Sequence, residues 1–399
     1  MELFIQQGYG MMGLNKEFAE KNDGMSFILS PRSLQVGQNI AKIKEHADDL
    51  RDRGAQILFD PQFYLPRTNL EKILKFPYFD DLDYATTDFL GDQAKKFGEN
   101  AVKYQHEILN TSALIIPGIY TNSYSEDWSN LQDDLIEGAL STGIQGPFFQ
   151  KLSIGPDLVL SDDFDDLIGA LVLSEADGFY VTLKKPSDDF MVINDNYMYK
   201  LLDAFLSIKL SGKKIILGYS NQQDLMFASV GVDAIASGNY QNVRFFNPEI
   251  FFDNGEENIQ RRGSWYYDNN TLSEFKPQQM SLAQTRGFFE MFGPINEYNR
   301  SLLEANPVTS VPWPENMNFR NYLYWMNENC RNIFVHDENR TASVIKFFEG
   351  KEKNMNSLLD KGFRGGNRAF ALDAYESTLS ALSAIRQDRK EDLKYLAEI

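Results

Sequence analysis

Sulfur and imidazole are almost missing from this chain. Of its 399 residues one is a cysteine, Cys330, and three are histidines, His46, His106 and His336. A lone thiol excludes an intramolecular disulfide and a thiolate zinc cluster, and three scattered histidines are too few for a histidine-rich metal centre. Cations are also short, 39 Lys and Arg against 57 Asp and Glu, a net charge of −18. That balance argues against a surface that coats nucleic acid, which needs clustered Lys and Arg, while leaving room for a local basic groove. No apolar run reaches the roughly 18 residues of a membrane span. The opening MELFIQQGYGMMG lacks the basic start and apolar run of a signal peptide. The expectation is a cytoplasmic protein with no membrane association and no cofactor. P-loop, Gly-x-Gly-x-x-Gly, Gly-x-Ser-x-Gly and His-Glu-x-x-His motifs are all lacking.

What the chain has is apolar and aromatic residues in alternating blocks. Hydrophobic residues make up 43%, with 30 Phe and 19 Tyr, enough for a large core in one barrel with additions or in two domains. Strand-like runs occur at 25–29, 56–59, 113–116, 149–154, 178–183, 214–217 and 233–236. Helical spacing runs through 33–53, 92–109, 125–140, 162–175 and 196–210. Such alternation reads as βαβ units around a parallel sheet. The stretch 213–244 displays one unit whole: strand, polar loop, short helix, strand, then a loop of small polar residues. Seven strands are placed in this way. An irregular eighth is expected at 243–246, too close to the seventh for a helical crossover. The expected fold is an α/β TIM-type (β/α)8 barrel over 1–275, with insertions at about 65–92 and 247–275. A helical region over 276–399 is expected to pack on it. His46 and His106 fall in expected helices, and Asp162, Asp163, Asp165 and Asp166 open another, where the macrodipole favours carboxylates.

In a parallel barrel the residues just after the strands converge on one mouth. Those positions carry Asp60, Gln62 and Tyr64; Tyr120 and Asn122; Thr182 and Lys184; Tyr219 and Asn221; and Ser237, Asn239 and Arg244. Amides, hydroxyls and rings with one acid suit a flat polar ligand held between aromatic faces. Asp60 is the candidate catalytic acid/base, and the other eleven are candidate ligand contacts. Duller readings stand beside these. Asp60 before Pro61 also suits a turn, and Lys184-Lys185-Pro186 a solvated loop. Ser237-Gly238-Asn239 either turns the chain or brings backbone amides to an anion.

Three segments resemble the tRNA-guanine transglycosylase barrel and its relatives that insert 7-deazaguanines into DNA. They are IIPGIYTNSYSEDW at 115–128, GFYVTLKKP at 178–186 and the run 217–244 with Gly218, Asp224-Leu225, Gly231-Val232-Asp233 and Arg244. The resemblance covers about 55–245. It implies base recognition by an acid at Asp60, while Tyr120-Thr121-Asn122 stands where that family has its Gln-Gly-Gly. From their convergence at the barrel mouth, Asn122 and Asn221 are expected to read base edges and Tyr64, Tyr120 or Tyr219 to stack. The chain departs from that family where a nucleophilic aspartate is expected, having Ala236-Ser237, and in lacking the cysteine zinc site. The first expectation is a diverged transglycosylase-like barrel that binds or acts on a nucleobase, nucleoside or nucleic-acid end. A second is a non-catalytic barrel with a protein partner, for which Trp265-Tyr266-Tyr267 would be the hot spot if exposed and mere insertion core if buried. A third is an enzyme for a phosphorylated small molecule anchored at 237–239.

Overall fold

The computed structural model describes residues 1–33, 41–65, 68–79, 89–252, 265–333 and 339–398. Its centre is a sheet of eight parallel strands: β1 (Glu2–Gln6), β2 (Ser26–Leu29), β3 (Gln56–Phe59), β4 (Leu114–Ile116), β5 (Phe148–Ile154), β6 (Gly178–Leu183), β7 (Lys214–Leu217) and β8 (Ala234–Ser237). Neighbours in the sheet are neighbours in sequence, and β1 pairs with β8 (Phe4 opposite Ala236). The result is a nearly closed TIM-type barrel. The strand that completes it is β1 at the N-terminus, a segment to which the sequence pattern assigned no element. Residues 243–246 do not form the expected eighth strand. Gln241–Val243 is a 3₁₀ turn, and Phe246 makes one isolated bridge to Lys184.

The outer layer follows from amphipathic helices: α1 (Met12–Lys21), α2 (Ala41–Arg51), α3 (Asp92–Lys103), α4 (Glu126–Ser141), α5 (Asp163–Leu173) and α6 (Asp195–Leu210). Between β7 and β8 the connection is a 3₁₀ segment, Gln222–Val230, capped by Asn221. Residues 34–40 of the helix expected over 33–53 lie outside the described residues, as do parts of both expected insertions. C-terminal helices finish the layer. α7 (Glu315–Ile333) packs beside β1, α8 (Arg340–Asp360) on the 3₁₀ segment, and α9 (Leu372–Asp388) on α6 and α8. Among the described residues no helix is long and apolar enough to cross a membrane.

Of the two readings of the aromatic cluster, the structure bears out burial for Tyr266 and Tyr267. Tyr266 and Tyr267 lie fully buried in an antiparallel hairpin, β9 (Tyr266–Asp268) with β10 (Ser273–Phe275), against Trp313 and Tyr322. Their hydrophobic area is spent inside the fold, so it offers a partner nothing.

Strand alternation divides the barrel interior into two levels. Side chains two apart share a face. Phe4, Ile28, Leu58, Ile115, Phe149 and Ile216 form an apolar floor with Ala234 and Ala236. Two residues further along their strands come Gln6, Ser30, Asp60 and Lys151, all buried. The barrel is therefore dry below and polar at its C-terminal end.

Its weak point is the seam between β3 and β4, which share no ladder in the sheet. A few hydrogen bonds join them, among them Ser112 N to Ile57 O at 2.8 Å and Ile57 N to Ser112 Oγ. Further along, Gln105 does the work of a missing strand. It lies in a π-turn, Tyr104–Ile108, that continues α3. Its Oε1 accepts from Ile115 N and its Nε2 donates to Ile115 O, both at 2.8 Å. π-turns shift the side-chain phase of a helix, which here aims a buried amide at the strand edge. Gln105→Leu is expected to orphan both Ile115 groups at about 1–3 kcal/mol each. A chemical-denaturation midpoint unchanged from wild type would contradict that role.

Candidate active site

The polar level of the barrel is built around Asp60 and Lys151. Asp60 follows β3, with its carboxylate accepting from Gln62 N at 3.0 Å and from the Tyr64 hydroxyl. Lys151, in the middle of β5, sends Nζ across the interior to the Tyr64 hydroxyl at 2.8 Å and lies 3.7 Å from Asp60 Oδ2. Its ammonium sits 3.7 Å from the Tyr180 ring centre and 4.5 Å from that of Tyr64. Lys151 and Asp60 are 2% and 1% exposed. Enclosure of this kind makes the charged lysine costly. Burial, opposed by Asp60, brings the Lys151 pKa down to about 7. Burial likewise pushes the phenols of Tyr64 and Tyr180 well above their ordinary value, Asp60 adding to it.

Tyr180 hydrogen-bonds Gln6 Oε1 at 2.8 Å, and Gln6 Nε2 has no partner although the residue is fully buried. Gly218 makes room for this ring: a Cβ there would lie 2.5 Å from the Tyr180 hydroxyl. Gln62 and Tyr219 close the other side. Both have left-handed φ, +57° and +54°, and Gln62 Nε2 donates to the Tyr219 hydroxyl at 2.9 Å. Non-glycine residues held in that region carry strain, which collects at functional sites.

Above this level lies an aromatic cover. Phe246 contacts the rings of Tyr64, Tyr120, Tyr219 and Phe251 at centroid separations of 4.8–6.2 Å. Beyond it opens a cleft of about 290 Å³ at the rim, lined by Tyr120, Asn122, Asp157, Lys184 and Lys185 among others. Phe246 thus stands between the cleft and the Asp60–Lys151 pair.

The expected site residues are placed as follows. Asp60, Gln62, Tyr64 and Tyr219 meet in the polar level; Thr182 joins Ser153 there by a 2.7 Å hydrogen bond. Tyr120, Asn122 and Lys184 share the rim cleft, where Asn122 pairs with Asp157 and Lys184 with Glu249. Asn221 stands apart, capping the 3₁₀ segment and donating to Phe190 O. Ser237 turns outward, its hydroxyl on Ser220 O and the Tyr322 hydroxyl. Asn239 is buried with both amide atoms unpartnered. Arg244 holds Gly238 O and Asn239 O at 2.6 Å each and pairs with Glu274 at 3.1 Å, over the Tyr322 ring. Burial pushes the Glu274 carboxyl up, but Arg244 and Arg368 outweigh it and hold its pKa below the ordinary value. Lys151, Gln6, Tyr180 and Phe246 were missed from the sequence. Lys151 carried no clear signal, since FFQKLSI is polar on both faces and buried throughout.

Among the described residues no group of three His, Cys, Asp or Glu side chains could hold a metal ion. No protein-family model matches the chain, and no curated protein matches it.

Two outcomes follow from this geometry. Arg244→Met leaves Glu274 without its closest cation, and a loss of about 3–5 kcal/mol in unfolding free energy is expected; a loss under about 1 kcal/mol would show that the clamp is dispensable. The second concerns pH. Between about 7, the folded pKa of Lys151, and the ordinary lysine value of 10.5, the unfolded chain binds a proton that the native chain does not. Stability from this group therefore rises with pH across that window, by up to about 1.4 kcal/mol per unit. The facing groups are Asp60, Tyr64 and Tyr180, and both phenols stay protonated in the native state there. The stability difference between wild type and Lys151→Met should move in favour of wild type from pH 7 to 9.5, and a pH-independent difference contradicts the assignment.

Proposed function

We propose that this protein is a barrel enzyme acting on a flat polar heterocycle of the nucleobase or nucleoside class, with Asp60 as its acid/base. The observation that carries the reading is the meeting of a buried carboxylate, two amides and several tyrosines at the C-terminal end of the strands, where barrel enzymes keep their chemistry. Asp60 supplies or accepts a proton through the Tyr64 hydroxyl. Gln62 offers an amide for a base edge, and the rings of Tyr64, Tyr120, Tyr219 and Phe246 give stacking faces. The rim cleft is where a ligand enters, with Phe246 moving aside to admit it to Asp60. The resemblance of 115–128, 178–186 and 217–244 to the tRNA-guanine transglycosylase barrel supports a nucleobase among flat ligands. A mechanism through a nucleophile at the end of β8 is not proposed, because Ala236 belongs to the apolar floor and the Ser237 hydroxyl is engaged outside the barrel.

Titration calorimetry with guanine, 7-deazaguanine and guanosine tests the reading. At least one should bind, Asp60→Asn should weaken it about tenfold or more, and Phe246→Ala should change the association rate more than Ser237→Ala does. Binding of all three that is absent in wild type, or indifferent to Asp60→Asn, would sink the proposal.

A further inference from the structure

Lysines elsewhere in this fold are anchored in ways that explain them. Lys185, also buried, donates to Phe190 O at 2.8 Å; Lys200 and Lys213 donate to main-chain carbonyls; Lys209 grips Asp233 with both carboxylate oxygens. An ammonium has three donors to satisfy. Lys151 has one short contact, to the Tyr64 hydroxyl, and its carboxylate partner stands back at 3.7 Å. It meets no main-chain carbonyl among the described residues. The other sides of Nζ are the faces of two tyrosines. A lysine whose task was to balance Asp60 would close that gap.

The arrangement around it is what an amine needs to react with a carbonyl. Tyr64 accepts from Nζ and donates to Asp60, so one hydroxyl connects the amine to a proton acceptor. Gln6, fully buried, spends its Oε1 on Tyr180 and leaves its Nε2 hydrogens unpartnered beside that same ring. An unused buried amide donor is costly and is placed to meet an oxygen. Desolvation by the tyrosines keeps much of the amine uncharged at neutral pH, the condition for nucleophilic attack.

We propose that Lys151 forms an imine with a small aldehyde or ketone admitted to the barrel mouth. The amine nitrogen bonds the carbonyl carbon, and the carbonyl π pair moves to oxygen, which accepts a hydrogen bond from Gln6 Nε2 and takes up a proton. The carbon–oxygen bond then breaks. Both amine hydrogens leave with that oxygen as water, passed through Tyr64 and Asp60, and a carbon–nitrogen double bond remains. No electrons are gained or lost. The proposal shares with the proposed function the location of the reaction and the need for Phe246 to move, and does not depend on a nucleobase.

The test uses the whole wild-type chain, with glycolaldehyde, hydroxyacetone and pyruvate as probes in the presence of cyanoborohydride, followed by peptide mapping. With at least one probe, the peptide containing Lys151 should be alkylated about tenfold faster than exposed lysines such as Lys42 and Lys75. Asp60→Asn and Tyr64→Phe should slow that adduct while leaving the exposed ones unchanged, and Phe246→Ala should speed it. Alkylation confined to exposed lysines with all three probes, in both wild type and Phe246→Ala, overturns the imine. Calorimetry on the same preparation separates the two proposals. A Lys151 adduct without nucleobase binding removes the proposed function alone, and nucleobase binding with Lys151 unmodified removes this one alone.

Discussion

A lysine and an aspartate enclosed together by a parallel barrel constrain everything around them. Two charges taken from water cost several kcal/mol each, and attraction repays that only where geometry and hydrogen bonds are good. Here the cost is met in an unusual way. Tyr64 bridges amine and acid, Tyr180 lends its ring to the ammonium, and Gln62 N holds the second face of the carboxylate. Asp60, Gln62 and Tyr64 all follow β3, whereas the amine and the Tyr180 ring come from β5 and β6, so the pair forms only where these strands face one another across the barrel. The apolar floor beneath it keeps water from entering from below. Fold and site are in this sense one construction.

Closure itself is achieved with devices that are local. A side-chain amide, Gln105, stands in for ladder bonds at the β3–β4 seam. On the opposite side of the barrel the chain's own start, β1, is paired with β8 and covered by a helix more than three hundred residues later, α7. Arg244 ties the loop leaving β8 to the β9–β10 hairpin and to α7 through Glu274 and Tyr322. The C-terminal segment thus contributes to the barrel's outer layer where a βα unit would ordinarily supply a helix.

Much of this was legible in the residues, and the failures have physical reasons. GFYVTL and KIIL read as strands because they are apolar, β-branched and bounded by turns, and they are β6 and β7 as expected. β1 was missed because ELFIQ is only five residues long and is buried on both faces from Leu3 to Gln6, so it shows no alternation. The barrel rule then located Asp60, Gln62, Tyr64 and Tyr219 correctly at the mouth but could not tell which side chains turn inward. Asn221 and Ser237 occupy equivalent strand-end positions and turn to backbone capping and outward packing. Lys151 was hidden by FFQKLSI, in which every residue is buried. Gln150 bonds Ser174 of the outer layer while Lys151 faces the interior, so polarity on both faces erased the alternation that would have exposed it.

Burial alone therefore does not separate structural from reactive polar groups in this barrel; the number and kind of partners does. Arg244 and Lys151 are equally hidden. Arg244 has a carboxylate, two main-chain carbonyls and an aromatic face, a complete set for a guanidinium, and a substrate would have to displace a bond already made. Lys151 has one hydroxyl and a carboxylate at arm's length, and the Gln6 amide bonded to Tyr180 is half used. Native interiors rarely leave donors unmatched, and the incomplete partner set of Lys151 and Gln6 is what the proposed ligand would complete. The left-handed backbones of Gln62 and Tyr219, joined to each other by a hydrogen bond, are the second observation behind that proposal. Neither sign is available from residue types, since both depend on which groups the closed barrel leaves without company.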